Sequence, residues 1–281
     1  MEEVDEHLDD MVAAEEEVEA EEEEDDRSAS AEPEDPAVED EADPEARTAI
    51  DEPEGLGGPD EAAPRGFVQT SEILGVPLFF ERSGDGRQHP FRPFVERSFV
   101  PILEKTVKQV RRRTPDSFGR LERISSAGIL VNKPGMHGLG RACDWDRLVF
   151  ENVRISPIER DHAADSRKKR RRYWAFAAIC RSNASFVLHG LFNVDHEDHI
   201  HQDNASGVGF GMASSSVKLC QALLNEMFGE SLATDGDFGP NTSGAFRRAT
   251  ERLDLSADIN DVRVWRRFLR RSARLGFRLS A

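Results

Sequence analysis

Cysteine is scarce in this chain: three residues in 281, Cys143, Cys180 and Cys220, with no C-x-x-C spacing. An odd count without that spacing argues against a cysteine-built metal centre and against a disulfide scaffold. Buried free thiols are the expected state, with a Cys143–Cys180 pair as the alternative for an exported protein. Apolar runs are short as well. None has the length of a membrane span and none resembles the core of a signal peptide, so neither is expected. A substrate outside the cytoplasm, periplasmic or extracellular, then requires another export route or cell lysis. Basic residues are nearly missing from the first 65 positions, which hold 29 of the 54 acids and 3 of the 37 Lys and Arg residues. With runs of Glu and Asp, several prolines and almost no aromatics, that segment cannot bury enough apolar surface to offset chain entropy. A disordered acidic tail is expected over 1–65.

The remaining 25 acids and 34 bases make residues 66–281 mildly basic, and this part is long enough for a real core. Such a body suits a polyanion. The run Arg167-Lys168-Lys169-Arg170-Arg171-Arg172 fits a nucleic-acid surface or a localisation signal, and an anionic cell-wall polymer suits the same charge. Without interleaved aromatics or a recognition motif the run is read as a solvated helix start or loop, and no nucleic-acid partner is expected.

Hydrophobic spacing predicts an extended segment over 76–80, a helix over 94–113 ended at Pro115, and a buried strand over 124–132. It predicts a strand or hairpin over 143–155, a helix from 173 towards 191, and a short strand over 199–203. Beyond a linker at 207–213, three helices are expected, starting at Ser214 and spanning 242–253 and 262–275. The fold class is therefore α+β. A domain over 66–206 has a small antiparallel sheet with flanking helices, and a three-helix bundle occupies 207–281.

Two polar clusters stand out in the 66–206 domain. His196-Glu197-Asp198-His199-Ile200-His201 holds three of the eight histidines, and His137 and Asp144 lie in the glycine-rich Gly135–Asp144 stretch. On an extended strand His199 and His201 leave from the same face. Glycines around His137 allow close approach of backbone to a metal or substrate. Two imidazoles and a carboxylate, from His137, Asp144 and His201, are the ligand set of a catalytic zinc with one position open for water. Asp198 and His199 compete as the base that works on that water. His196 and Arg123 are candidates to stand behind the ligands or to pair with a substrate carboxylate. Either cluster alone is explained equally well by a polar loop; the two together, in this order, are not.

These residues resemble the extensin-like C-terminal domain family, related to the D-Ala-D-Ala metallopeptidases and penicillin-insensitive murein endopeptidases. The first family motif, S-x-H-x-x-G-x-A-x-D, is matched by Gly135-x-His137-x-x-Gly140-x-Ala142-x-Asp144, with glycine in place of the serine. The second, H-x-D-H-x-H, is matched by His196, Asp198, His199 and His201. The resemblance covers about residues 91–204. It implies a D-Ala-D-Ala-peptidase-like fold, Zn2+ on His137, Asp144 and His201, action of Asp198 or His199 on the water, and a substrate arginine near Arg123. The missing serine bears on a substrate or supporting hydrogen bond.

The C-terminal segment resembles a three-helix peptidoglycan-binding domain in Val217-Lys218-Leu219-Cys220-Gln221, Asp235-Gly236-Asp237-Phe238-Gly239-Pro240-Asn241-Thr242 and Trp265. Thr242 is expected to cap the following helix. Ala249-Thr250 replaces the family's Phe-Gln, which implies an altered glycan-binding surface. Together the resemblances imply a zinc-dependent peptidase that cuts peptidoglycan stem peptides or cross-links. The rival expectation is a non-catalytic wall-binding protein with a structural or degenerate metal site. A nucleic-acid binder using 167–172 is a third and predicts steeply salt-dependent DNA binding.

Overall fold

The computed structural model describes residues 63–205 and 207–281. The acidic tail expected over 1–65 falls outside that range except for its last three residues.

The chain is α+β, but its main sheet is mixed rather than purely antiparallel. A two-stranded ribbon pairs β1 (Phe67–Gln69) with β5 (Phe94–Glu96). The main sheet runs β2 (Glu72–Ile73), β3 (Val76–Phe80), β6 (Leu121–Gly128), β7 (Ala142–Phe150), β10 (Ile200–Asp203), β9 (Phe186–Leu188). Two short strands, β4 (His89–Pro90) and β8 (Arg154–Ile155), pair off it with β3 and β7. β3 and β6 are parallel because a crossover containing α1 (Val100–Arg113) joins them, and a hairpin cannot connect parallel strands.

Helix α1 starts six residues later than the apolar spacing suggests. Phe94 and Val95 are taken into the β1 ribbon, and Pro101 in the first turn has no N–H for a preceding turn to use. Helix α2 (Arg167–Asn183) starts earlier than expected and is buried almost all round from Tyr173 onward. Ala184 is extended and Phe186–Leu188 pairs with β10, so the expected helix towards 191 ends at Asn183.

Helices α3 (Ser214–Phe228), α4 (Pro240–Arg252) and α5 (Val262–Arg278) form the C-terminal unit. α5 packs directly on α2, and one apolar core runs across the expected 206/207 boundary. The approach is close: a Cβ on Gly276 would sit 3.1 Å from Ala175 Cβ and 2.5 Å from Met227 Cε. Phe118 meets Phe277 edge-on at 6.0 Å. All three cysteines are buried and free.

The basic run is the first turns of α2, but it is not simply solvated. Lys168 Nζ donates to Ala281 O at 2.6 Å and Arg171 Nη1 to Leu279 O at 3.1 Å. Arg171 Nε also donates to Glu226 O, Arg172 donates to Ser280 O, and Arg170 pairs with the Glu226 carboxylate at 2.6 Å. Carbonyls at the C-terminal ends of α3 and α5 lack helical partners and carry partial negative charge. The run supplies them with cationic donors, which fastens the C-terminal helices to α2.

In the C-terminal turn the buried Gln221 does the organising. Its Nε2 donates to Asp235 Oδ1, Asp237 O and Thr242 Oγ1, and its Oε1 accepts from Gly236 N. Thr242 is not the cap: Gly239 holds that position, and the Thr242 hydroxyl donates to Asp237 O at 3.1 Å. Ala249 and Thr250 are both buried, so the departure from Phe-Gln falls in the core rather than on the surface. Among the described residues no helix is long and apolar enough to cross a membrane.

Candidate metal centre

Strand alternation builds one side of the site. On β7, Cys143 and Trp145 face the core, where Trp145 meets Phe176 edge-on at 5.6 Å. Successive residues of a strand point to opposite faces, so Asp144 and Asp146 emerge together on the other face. Antiparallel pairing places His201 of β10 directly opposite Asp144, and Ile200 opposite Trp145. Opposed residues of this kind have Cβ atoms about 4.5–5.5 Å apart. The register alone therefore brings two of the three expected ligands together.

His137 reaches the site from the loop between β6 and β7. Val131 N and Gly140 N both donate to His137 O, which folds the loop back on itself. Gly138 is required there, since a Cβ would lie 2.1 Å from Lys133 O. Gly140 has φ +66°, and a Cβ on it would strike Phe67.

His137, Asp144 and His201 each present one ligand atom, and these lie within 4.8 Å of one another. His137 Nε2 is 3.0 Å from Asp144 Oδ2 and 3.2 Å from His201 Nδ1, and His201 Nδ1 is 2.9 Å from Asp144 Oδ1. Ligand atoms at about 2.0–2.1 Å from a tetrahedral ion stand about 3.3 Å apart; the two imidazole nitrogens match that spacing, and each lies within 3.0 Å of one oxygen of the Asp144 carboxylate.

Protonation supports the same fit. His137 Nδ1 lies 2.9 Å from Ile129 O, which can only accept, so Nδ1 carries the proton. Burial lowers the pKa of this ring against the pull of Asp144 and favours the neutral form. Its Nε2 lone pair then faces a carboxylate oxygen at 3.0 Å, a repulsive contact unless a cation or a shared proton lies between them. Burial opposes charge on Asp144 too, but the imidazoles of His137 and His199, with the close contacts of His137 and His201, hold its carboxyl well below the usual range. For His201, burial is outweighed by Asp144 and Asp203, which push the imidazole up to about 9 and favour its charged form, so a metal taking Nδ1 would release a proton. This group of residues could hold a metal ion.

The other expected site residues divide. His199 Nδ1 is 2.9 Å from Asp198 Oδ1, and its Nε2 is 3.7 Å from Asp144 Oδ1. His196 is buried, its ring 5.0 Å from His199 and 6.1 Å from His201. Burial, with His199 and His201 nearby, lowers its pKa to about 3, and its Nδ1 lies 2.6 Å from Asn193 Oδ1. Arg123 is not brought in. It lies opposite Val149 on β6, five residues from Gly128, which faces Asp144, a separation of roughly 16 Å along the strand.

The guanidinium beside the site is Arg82, which follows β3. It grips the fully buried Asp146 through Nε at 2.8 Å and Nη2 at 2.6 Å, and its Nη1 donates to Asp198 Oδ2 at 2.8 Å. Burial opposes the charge on Arg82, but Asp146 and Asp198 raise its pKa. Burial pushes the Asp146 carboxyl up to about 6 despite that partner. The i, i+2 spacing of Asp144 and Asp146, and of His201 and Asp203, is a local signal for Asp146 and Asp203. Arg82 has none, being 64 residues from Asp146 in sequence. No family model, curated protein or solved structure matches the chain.

Proposed function

We propose that the chain is a zinc-dependent peptidase acting on the amide bonds of peptidoglycan stem peptides or cross-links. One observation carries it: one ligand atom from each of His137, Asp144 and His201 lies within 4.8 Å of the others, beside a second His–carboxylate pair. The motif resemblance to murein peptidases supplies the substrate class.

His137 Nε2, Asp144 and His201 Nδ1 would hold the ion. A zinc ion there supplies a more acidic water and a polarised carbonyl. The chain's own residues do the proton work. His199 Nδ1–H donates to Asp198 Oδ1, which leaves Nε2 as an acceptor facing the ligands. His199 Nε2 takes a proton from the attacking water and returns it to the leaving amine. Asp198 orients the ring and stabilises its charged form, and Arg82 fixes Asp198 from behind. His196, kept neutral, forms a wall against His199 rather than an acid.

The test is zinc content of purified protein, then digestion of murein with mass spectrometry of the released fragments, for wild type, His201→Ala and Arg123→Ala. Wild type and Arg123→Ala are expected to hold zinc and create new peptide termini, and His201→Ala neither. Wild type that holds zinc yet releases nothing from any murein ends the peptidase proposal. That result would favour a non-catalytic wall-binding protein. A groove of about 510 Å³ on the C-terminal unit, lined by Asp235, Asp237, Asn241, Thr242 and Arg248, offers such a protein a binding surface without chemistry.

A further inference from the structure

We infer that Asp203 is a positioning residue for the metal centre: it fixes the tautomer and the aim of His201, a role that rests on the metal-site reading above. Asp203 lies two residues beyond His201 on β10, so both side chains leave the same face. Its Oδ2 is 2.9 Å from His201 Nε2, and its Oδ1 accepts from Ala205 N at 2.9 Å. The carboxylate is buried and held at both oxygens, so it cannot swing away from the ring.

Both ring nitrogens lie 2.9 Å from a carboxylate, Nε2 from Asp203 and Nδ1 from Asp144; Asp203 accepts from Nε2–H, which leaves Nδ1 as the nitrogen open to an ion shared with Asp144 and His137. His137 is fixed in the opposite sense. Its Nδ1–H donates to the neutral carbonyl of Ile129, and Nε2 is the ligand atom. The two histidines thus offer different ring nitrogens because different acceptors back them. Only His201 is backed by a charge, and a carboxylate behind an imidazole raises its basicity as a ligand. Asp144 and Asp203 together also balance the two charges of a divalent ion, leaving Asp198 to its own partners, Arg82 and His199.

Asp203→Ala and the nearly isosteric Asp203→Asn test this against wild type. Zinc affinity is measured by competition with a chromophoric chelator. Cobalt(II) loading reports ligand geometry by visible absorption, and 15N spectra of the zinc form report the His201 tautomer. Expected are zinc binding weakened about 10–100-fold in Asp203→Ala, a smaller loss in Asp203→Asn, an altered cobalt spectrum, and loss of the single Nε2–H tautomer in Asp203→Ala. A folded Asp203→Asn retains the shape of the site, so the proposal stays testable if the alanine variant fails to fold. Wild-type affinity, cobalt spectrum and His201 signals in both variants, or in Asp203→Asn alone if only it folds, would overturn it. Wild type that binds no zinc sinks the metal-site reading together with this one; wild type that binds while the variants match it sinks only this one.

Discussion

Arg82→Met removes the arginine behind the candidate base together with both of its ion pairs, to Asp198 and to the buried Asp146. Arg82 is 12% exposed and Asp146 is fully buried, and they share two short hydrogen bonds. Methionine preserves most of the stem length but leaves the Asp146 carboxylate without its cation. Removing one member of a buried pair costs about 3–5 kcal/mol. Because Arg82 retains some contact with solvent, the lower end, about 3 kcal/mol, is expected. The cost depends on pH with a definite sign. The ordinary carboxyl value is 3.8, and burial already pushes Asp146 up to about 6 with Arg82 present. Without Arg82 the folded value rises further. An acid whose folded pKa exceeds its unfolded value adds no penalty below the unfolded pKa, a growing one as pH rises between the two, and a constant one above. The deficit of Arg82→Met should therefore be small at pH 4.5 and most of its full size at pH 8. Urea denaturation of chelator-treated protein, followed by the fluorescence of buried Trp145, Trp174 and Trp265, measures it. The double variant Arg82→Met/Asp146→Leu should recover most of the loss, since no buried charge then lacks a partner. A deficit under about 0.5 kcal/mol at pH 8, the size of an ordinary surface substitution, would refute the reasoning. So would an equal deficit at both pH values.

Three further outcomes follow from the same structure. His189 is fully buried, with Nε2 3.0 Å from Ser215 O, and burial lowers its pKa from 6.5 to about 4. The unfolded chain takes up this proton first, so the contribution is complete above pH 6.5 and is lost as pH falls towards 4. That amounts to about 3 kcal/mol, and His189→Gln should flatten this part of the stability–pH curve. Arg171 is buried and bonds the carbonyls of Leu279 and Glu226, whereas the Arg167 side chain is 51% exposed. Arg171→Ala should cost about 2 kcal/mol and Arg167→Ala under about 0.5 kcal/mol in denaturation midpoints; an Arg171→Ala loss as small as that of Arg167→Ala would show that the run is a solvated surface after all. Gly138→Ala places a Cβ against Lys133 O and should cost about 1–3 kcal/mol through overpacking, with weaker zinc binding because His137 moves with the loop. Unchanged stability and affinity would mean that the loop tolerates a side chain there.

How much of this was legible in the sequence follows from how far each interaction reaches. Spacing within a strand is local. Asp144 and Asp146, and His201 and Asp203, sit on common faces because side chains alternate along any strand, and the two polar clusters could be read together as one ligand set. The glycines around His137 and the turn from Asp235 to Thr242 were likewise visible, since each is demanded by a few neighbouring residues. Other features were decided by tertiary contacts. The β7–β10 register, not the motif, sets Asp144 opposite His201. Arg82, rather than Arg123, stands beside Asp198 because the β3–α1–β6 crossover makes β3 a parallel neighbour of β6, and no local pattern encodes that adjacency. The basic run shows the same limit. Its composition reads as a solvated helix start or loop, but its partners are the carbonyl ends of helices more than fifty residues further along the chain. A helix end is a strong acceptor only once the fold has placed it. The sequence determined which groups could bind, take a proton or carry charge; the packing of α2 between the sheet and the C-terminal helices decided which of them meet.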